Sequence, residues 1–344
     1  MGTMKEAHVH PNTSVTLHDV PIPSITHPYH LALMTISSCP NSGDDISGTV
    51  VSVGSAVHGF GPGDRVAALH ELGTKHGSYA EYAIAYSWTA FHLDDSTSFE
   101  EACTVPMASF MAAIGLFAML KATAGPWNVA RWQGGRPLLV YGAASAVGSA
   151  VVRLAEIVGV HPVLCVAGRG IPFVEGLIQR EKGDVVIDYR TGPENVLREL
   201  RKALGGQELE YVFDAISEKG SQDNYWPAMD PEHGKVTFVL GRHRDDIPPG
   251  IERSTTMAGS LWKELTPQRE RNRLGMGVGG RGFGFVYSRL IGNWLQEKRW
   301  KVHPFEVVDE GLRGLETALK KLKKGKSSAT KFVIRISNTP DLNR

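Results

Sequence analysis

Residues Gly142–Gly148, Gly-Ala-Ala-Ser-Ala-Val-Gly, have the composition of a loop that holds an anion through its backbone. They follow an apolar run, Leu138–Tyr141, and lead into a helical pattern in which Val147, Val151, Leu154, Ala155 and Val158 share one face. A strand, a tight turn and a helix start in that order suit a pyrophosphate. The first helical N–H groups lack internal acceptors, the helix dipole is positive at that end, and small side chains let phosphate oxygens reach the backbone. The spacing is not a strict G-x-G-x-x-G, and the same residues also suit an ordinary strand-to-helix turn.

The elements around the loop extend the reading. Val160–Ala167, Asp184–Tyr189, Leu209–Ile216 and Lys235–Gly241 read as buried strands, with helical segments over Phe173–Lys182 and Pro193–Leu204 between the earlier ones. Strand and helix in alternation give βαβ units and a doubly wound parallel sheet, an α/β Rossmann domain whose ligand lies at the carboxyl ends of the strands. The tip of the second strand meets the adenosine ribose in such a fold. NAD-selective sites place an acid there, whereas this sequence has Ala167-Gly168-Arg169-Gly170. A carboxylate would repel a 2′-phosphate and Arg169 can pair with one, so the expected cofactor is NADPH. The alternative is that Arg169 simply opens the next helix in solvent.

Composition narrows the class. At 344 residues, 42% hydrophobic and 21% charged, with net charge +1, the chain is neither disordered nor a nucleic-acid binder. Cys39, Cys103 and Cys165 are scattered without metal or disulfide spacing, which points to a reduced compartment. No apolar leader segment appears and Gly2 lacks the Ser or Thr at position 6 that myristoylation needs, so a cytoplasmic location is expected. Ala102–Leu120 is 19 residues without a charge, but Pro106 and its polar interruptions suit a buried helix better than a membrane span. The lysines of Lys320–Lys326 read as a solvated helix end.

Before the Rossmann pattern, residues 4–100 alternate short valine-rich strands with Gly and Pro turns, as in a small β-barrel. Sequence patterning divides the chain into 1–108 (barrel), 109–298 (dinucleotide binding) and 299–344, a strand–helix–strand return to the barrel. Gly275–Phe285, rich in glycine, reads either as a surface loop or as a lid over substrate with Phe283 and Phe285 as apolar walls.

Several ordered motifs carry a family resemblance: DDISGTVVSVGSAV at Asp44–Val57, GDRVAAL at Gly63–Leu69, GSYAEY at Gly77–Tyr82, GAASAVG at Gly142–Gly148, VIDYR at Val186–Arg190 and FDAIS at Phe213–Ser217. With GKSSATKFV near residue 330 they make the chain similar, over nearly its whole length, to the medium-chain dehydrogenase/reductase superfamily, and most to its fungal quinone-oxidoreductase-like and trans-acting enoyl-reductase branch. The resemblance implies a GroES-like β-barrel plus a Rossmann domain. It places Ser145, Ala146, Val147 and Gly148 at the cofactor diphosphate and Gly168, Arg169 and Tyr189 around the 2′-phosphate. It also puts Leu240 and Gly241 at the nicotinamide carboxamide, and Ser328 and Ala329 at the cofactor from the other domain.

Zinc is not expected. The turn that supplies a histidine ligand in zinc alcohol dehydrogenases reads Gly43-Asp44-Asp45, the last ligand position falls near Met107, and no four-cysteine lobe exists; His70 and His76 suit turn or surface positions. Without a Lewis acid the natural chemistry is hydride transfer from NADPH to an activated acceptor, a quinone or the C=C of an enone or enoyl group. Tyr79 is a proton-donor candidate only through its motif and reads more simply as a packing aromatic. Three functions remain open at this level: reduction of a free small molecule, trans-acting enoyl reduction on a polyketide synthase carrier domain, and non-redox NADPH binding, by a monomer or homodimer. The short join Cys39-Pro40-Asn41-Ser42, where relatives carry a longer segment beside the nicotinamide, leads us to expect a more open, slower or more tolerant site.

Overall fold

The computed structural model describes residues 2–37, 43–122, 135–241, 247–262, 279–340 and 342; the Cys39–Ser42 join lies outside them. Contacts divide the chain into two compact units, Met1–Met107 with Gly280–Arg344, and Ala108–Gly279.

The first unit begins with an antiparallel hairpin, β1 (Thr3–Val9) and β2 (Val15–Pro21). The strands β3 (His30–Ser37), β4 (Asp45–Val53), β5 (Arg65–Leu69), β6 (Tyr82–Tyr86) and β7 (Ala90–His92) follow. Alternation along them buries Leu31, Leu33, Ile46, Val50 and Val66 in one cluster with Phe60. A short helix, α1 (Phe99–Ala102), opens with a capping box in which Ser98 and Glu101 satisfy each other's backbone N–H groups.

The apolar run singled out above becomes α2 (Pro106–Ala113), continued by a π-helical turn over Ile114–Met119. Phe99–Met119 is long and apolar enough to cross a membrane, but most of it is buried inside the protein.

The second unit is a six-stranded sheet with all strands parallel. Its elements are β8 (Leu138–Tyr141), α3 (Ala146–Val158), β9 (Val163–Ala167), α4 (Ile171–Glu175), β10 (Val185–Asp188), α5 (Pro193–Leu204), β11 (Tyr211–Asp214), α6 (Lys219–Asp223), β12 (Lys235–Phe238) and β13 (Glu252–Thr255). The spatial order is β10-β9-β8-β11-β12-β13. Winding runs outward from β8 to β10, then returns to β8's other side, so the order reverses between β8 and β11. Helix α5 shows why these segments fold as they do: Val196, Leu200 and Leu204 fall on one face and join the core formed by Leu139, Leu164, Val212 and Val236. Each such side chain contributes about 1.5–3 kcal/mol of burial.

Two elements differ from the sequence pattern. Phe173–Lys182 is not one helix: α4 stops at Gly176, and only a 3-10 turn, Arg180–Lys182, follows. β13 is an additional strand whose residues, Glu-Arg-Ser-Thr, carry no apolar signal because it is a sheet edge with two exposed positions.

The chain then returns to the first unit through α7 (Arg281–Gln296), β14 (Phe305–Val308), α8 (Leu315–Lys323) and β15 (Lys331–Ile334). The sheet order there is β14-β15-β3-β4-β5-β7, with β6 paired to β3. Sequence patterning draws its boundary at 298, whereas contacts place 280–298 with the first unit. Arg289 shows the reason, since its Nη1 donates to the carbonyls of Ser87 (3.2 Å) and Ala90 (2.9 Å). The hairpin residues Ala7, Val15 and Leu17 pack with Leu312, Leu315 and Leu319 around α8.

A buried aromatic group in this unit sets a pH response. The His30 ring lies 4.7 Å from Tyr86 and 5.3 Å from His27, and its Nδ1 has no hydrogen-bond partner. Burial lowers its pKa to about 4, aided by His27, His70 and His76. The unfolded chain therefore binds a proton near pH 6.5 that the folded chain refuses, so stability is complete above that pH and is lost as pH falls toward 4, by up to ~3 kcal/mol. Thermal unfolding of the parent and of His30→Phe between pH 7 and 4 checks this. The variant should lose clearly less stability on acidification, with the remainder due to His27 and His76, whose pKa values are also lowered by burial.

Candidate functional site

The carboxyl edge of the parallel sheet carries every candidate residue of the second unit. At β8, Ser145 caps α3: its Oγ accepts from Gly148 N–H at 3.0 Å and its carbonyl accepts from Ser149 N–H at 2.9 Å. Among the described residues, the N–H groups of Ala144, Ala146 and Val147 donate to nothing, and these residues are partly exposed. Three N–H groups on a positive helix end make an anion cradle. Gly148 makes the cradle compact, because a Cβ there would sit 2.2 Å from the Gly142 carbonyl oxygen.

At the next two strand ends, Gly168 and Tyr189 form one surface. A Cβ on Gly168 would lie 2.5 Å from the Tyr189 ring, so only glycine lets the ring rest against this backbone. Tyr189 is 47% exposed, and Arg169, which follows Gly168 in sequence, is exposed at the tip of β9. The nearest acid in sequence, Asp188, is held by Arg190 through Nε–Oδ1 (2.9 Å) and Nη2–Oδ2 (2.6 Å), which neutralises it. Hydrogen bonds from Arg190 hold the Asp188 carboxyl below its usual range.

Beyond β12 the segment Val239–Gly241 is fixed from an unexpected direction. The N–H groups of Val239 and Leu240 both point at Ser217 Oγ, at 2.9 and 3.3 Å. Ser217 follows β11, one strand nearer the cradle. Sequence reasoning quoted FDAIS only as a family signature and assigned no role to Asp214 or Ser217. A polar pair inside an otherwise apolar strand end was the available signal.

The remaining candidates lie in the first unit. Ser328 is exposed and Ala329 has φ +51° in the turn before β15. Phe283 and Phe285 stand in the first turns of α7, not in a loop; Phe283 stacks on Tyr287 at 4.2 Å, and Phe285 is 52% exposed beside the Arg289 guanidinium at 4.7 Å. Gly275–Val278 lie outside the described residues. Tyr79 is buried in the core around α8. It also lines a cavity of about 600 Å³ with Glu6, His8, Ile22, Lys75 and His76, to which sequence reasoning gave no chemistry.

At the turn where zinc relatives carry a ligand, Asp44 is buried and its carbonyl accepts from His70 N–H at 2.8 Å. Asp45 is fully buried. It accepts from Lys331 Nζ and Met107 N–H, both at 2.6 Å, and Lys331 also reaches the Thr104 carbonyl at 3.2 Å. Burial pushes the Asp45 carboxyl up, and the Lys331 ammonium draws it back. Among the described residues no group of three or more His, Cys, Asp or Glu is placed to hold a metal.

Comparisons with known proteins agree with this architecture. The alcohol dehydrogenase GroES-like domain family matches residues 13–95. A quinone oxidoreductase of Pseudomonas syringae pv. Tomato DC3000 superposes with TM-score 0.70 at 18% identity, over 97% of this chain and 100% of that one. The mycobacterial protein Rv1454c, solved in complex with NADPH, does so with TM-score 0.68 at 16% identity, over 96% and 99%. A GroES-like domain joined to a Rossmann sheet of this order defines an oxidoreductase of the medium-chain dehydrogenase/reductase superfamily. The trans-enoyl reductase fsr4 of Gibberella fujikuroi is 41% identical over 275 residues, 80% of this chain and 77% of that protein, and the chain belongs to this family of enoyl reductases.

The Asp45–Lys331 pair gives a stability test. Lys331→Met leaves a buried carboxylate without its cation and should cost about 3–5 kcal/mol, measured by urea unfolding. Adding Asp45→Leu should recover more than half of that loss, since the desolvation penalty disappears with the charge.

Proposed function

We propose that the chain is an NADPH-dependent, zinc-independent enoyl reductase that acts in trans on an unsaturated acyl chain carried by a polyketide synthase. The observation that carries the cofactor reading is the trio of undonated N–H groups at Ala144, Ala146 and Val147 on the start of α3. The acceptor reading rests on the 41% identity to a trans-enoyl reductase. A quinone or a free enone is the alternative acceptor, supported by the fold shared with a quinone oxidoreductase.

When bound, NADPH supplies a hydride to the β-carbon of the enoyl thioester, and a proton from solvent completes the saturated α-carbon. Ser145, Ala146, Val147 and Gly148 hold the diphosphate on the helix end. Gly168 and Tyr189 offer a flat surface to the adenosine end, Arg169 supplies the cation for a 2′-phosphate, and Arg190 keeps Asp188 from repelling it. Leu240 and Gly241 face the nicotinamide end. The protein's contribution is chiefly the positioning of two reactants, which needs no metal. The enzyme works in the cytoplasm.

Two measurements test this. NADPH consumption should be at least about tenfold more efficient, in kcat/KM, with an enoyl chain on a carrier domain than with the same chain as a small thioester, a difference of some 1.4 kcal/mol. Faster turnover of quinones, or tight NADPH binding with no oxidation by any acceptor, would overturn the proposal. Separately, Arg169→Ala should weaken NADPH binding by roughly 10- to 150-fold, about 1.5–3 kcal/mol, and leave NADH binding nearly unchanged. Equal affinity of the parent for both cofactors argues against the Arg169 role.

A further inference from the structure

The end of β11 holds a polar network that the cofactor contacts above do not use. Asp214 is completely buried and accepts four hydrogen bonds. Oδ1 takes the N–H groups of Ile216 (2.9 Å) and Ser217 (2.8 Å), and Oδ2 takes Ser221 Oγ (2.7 Å) and Tyr225 OH (3.0 Å). Ser217, also completely buried, is held at φ +57°. Its hydroxyl donates to the Asp214 carbonyl at 3.0 Å and accepts from Val239 and Leu240 N–H, so its one proton and both lone pairs are occupied.

That conformation is costly for any residue with a Cβ, and glycine would adopt it freely. Strain kept at a completely buried position points to a use for the side chain. The Ser217 hydroxyl occupies both donors of the turn after β12: Val239 N–H, which it shares with the Asp214 carbonyl at 3.3 Å, and Leu240 N–H, which has no other acceptor among the described residues. The carbonyl oxygens of Val239 and Leu240 accept no hydrogen bond among the described residues. Val239 and Leu240 are thereby left with acceptors only, at the sheet edge where the cofactor reading puts the nicotinamide. Its carboxamide brings an NH₂ group that needs acceptors.

We propose that Asp214 and Ser217 are positioning residues. Asp214 holds the left-handed turn at Ser217, and Ser217 ties down the N–H groups of Val239 and Leu240. Val239 and Leu240 then present carbonyl oxygens to the amide of a nicotinamide and disfavour ring substituents that lack an N–H donor. The inference rests on the cofactor assignment made above.

Ser217→Gly is the informative variant, because it permits the positive φ while deleting the hydroxyl; Ser217→Ala repeats the deletion with the strain retained. In cofactor-free protein, amide hydrogen exchange at Leu240 should be at least about tenfold faster in both variants than in the parent, while Val239 keeps its bond to the Asp214 carbonyl and changes less, with β8 and β9 unchanged. In binding assays the parent should prefer NADPH over its 3-acetylpyridine analogue, which lacks the amide NH₂, by about tenfold or more. Ser217→Gly should reduce that preference to within about threefold, while binding of 2′,5′-ADP stays the same in both proteins. Unchanged exchange at Leu240, or an equal preference in parent and variant, overturns the positioning role. If neither protein binds 2′,5′-ADP, the cofactor assignment itself falls, and with it the carboxamide role.

Discussion

Because all six strands of the second unit run the same way, every strand-to-helix turn falls on one edge of the sheet. Adjacent strands are about 4.8 Å apart, so the tips from β10 to β12 sample a line about 19 Å long. The anion cradle, the Gly168–Tyr189 surface and the Val239–Gly241 segment are successive stations on that line. The proposed cofactor reading uses that fixed order, which would take the adenosine end, the diphosphate and the nicotinamide end in sequence without any loop having to reach across the fold.

Within that line the protein uses backbone where a side chain would be expected to act. Ser145 spends its hydroxyl on capping Gly148, which leaves the N–H groups ahead of it unused. Ser217 does the opposite for the turn after β12, consuming donors so that acceptors remain. One edge therefore offers donors at the cradle and acceptors two strands away, and in each case a buried or partly buried serine decides which.

How much of this could be read from residues alone depended on the range of the interactions. The strand–turn–helix at Leu138–Val158 is legible because apolar run, small-residue loop and helical period are adjacent in sequence. Helix α5 was legible through its period, and the return of the last strand–helix–strand segment to the first unit through its pattern. β13 is not legible because an edge strand of polar residues has no periodic signal, and the helical pattern of Phe173–Lys182 runs past the stop that Gly176 imposes. The partners of Asp45 and of Leu240 were beyond reach: Lys331 is 286 positions from the first, and Ser217 is 23 from the second and in a different strand turn. Asp44 is the residue that stands at the zinc-ligand position, while the role of its neighbour Asp45, as half of a buried ion pair, needed the fold.

The first unit is assembled from two stretches, residues 2–107 and 280–340, that are separated by the whole of the second. During synthesis, at about 5–20 residues per second, β3 waits on the order of tens of seconds before its β15 neighbour is made. Until then the Ser37 end of β3, beyond the stretch that β6 already pairs, lacks its Ile334 partner, and the Asp45 carboxylate has no ammonium beside it. The second unit, continuous in sequence, can complete its sheet first. Folding order is thus imposed by chain topology, and the half-made first unit carries an unmatched buried charge until its last strand is made.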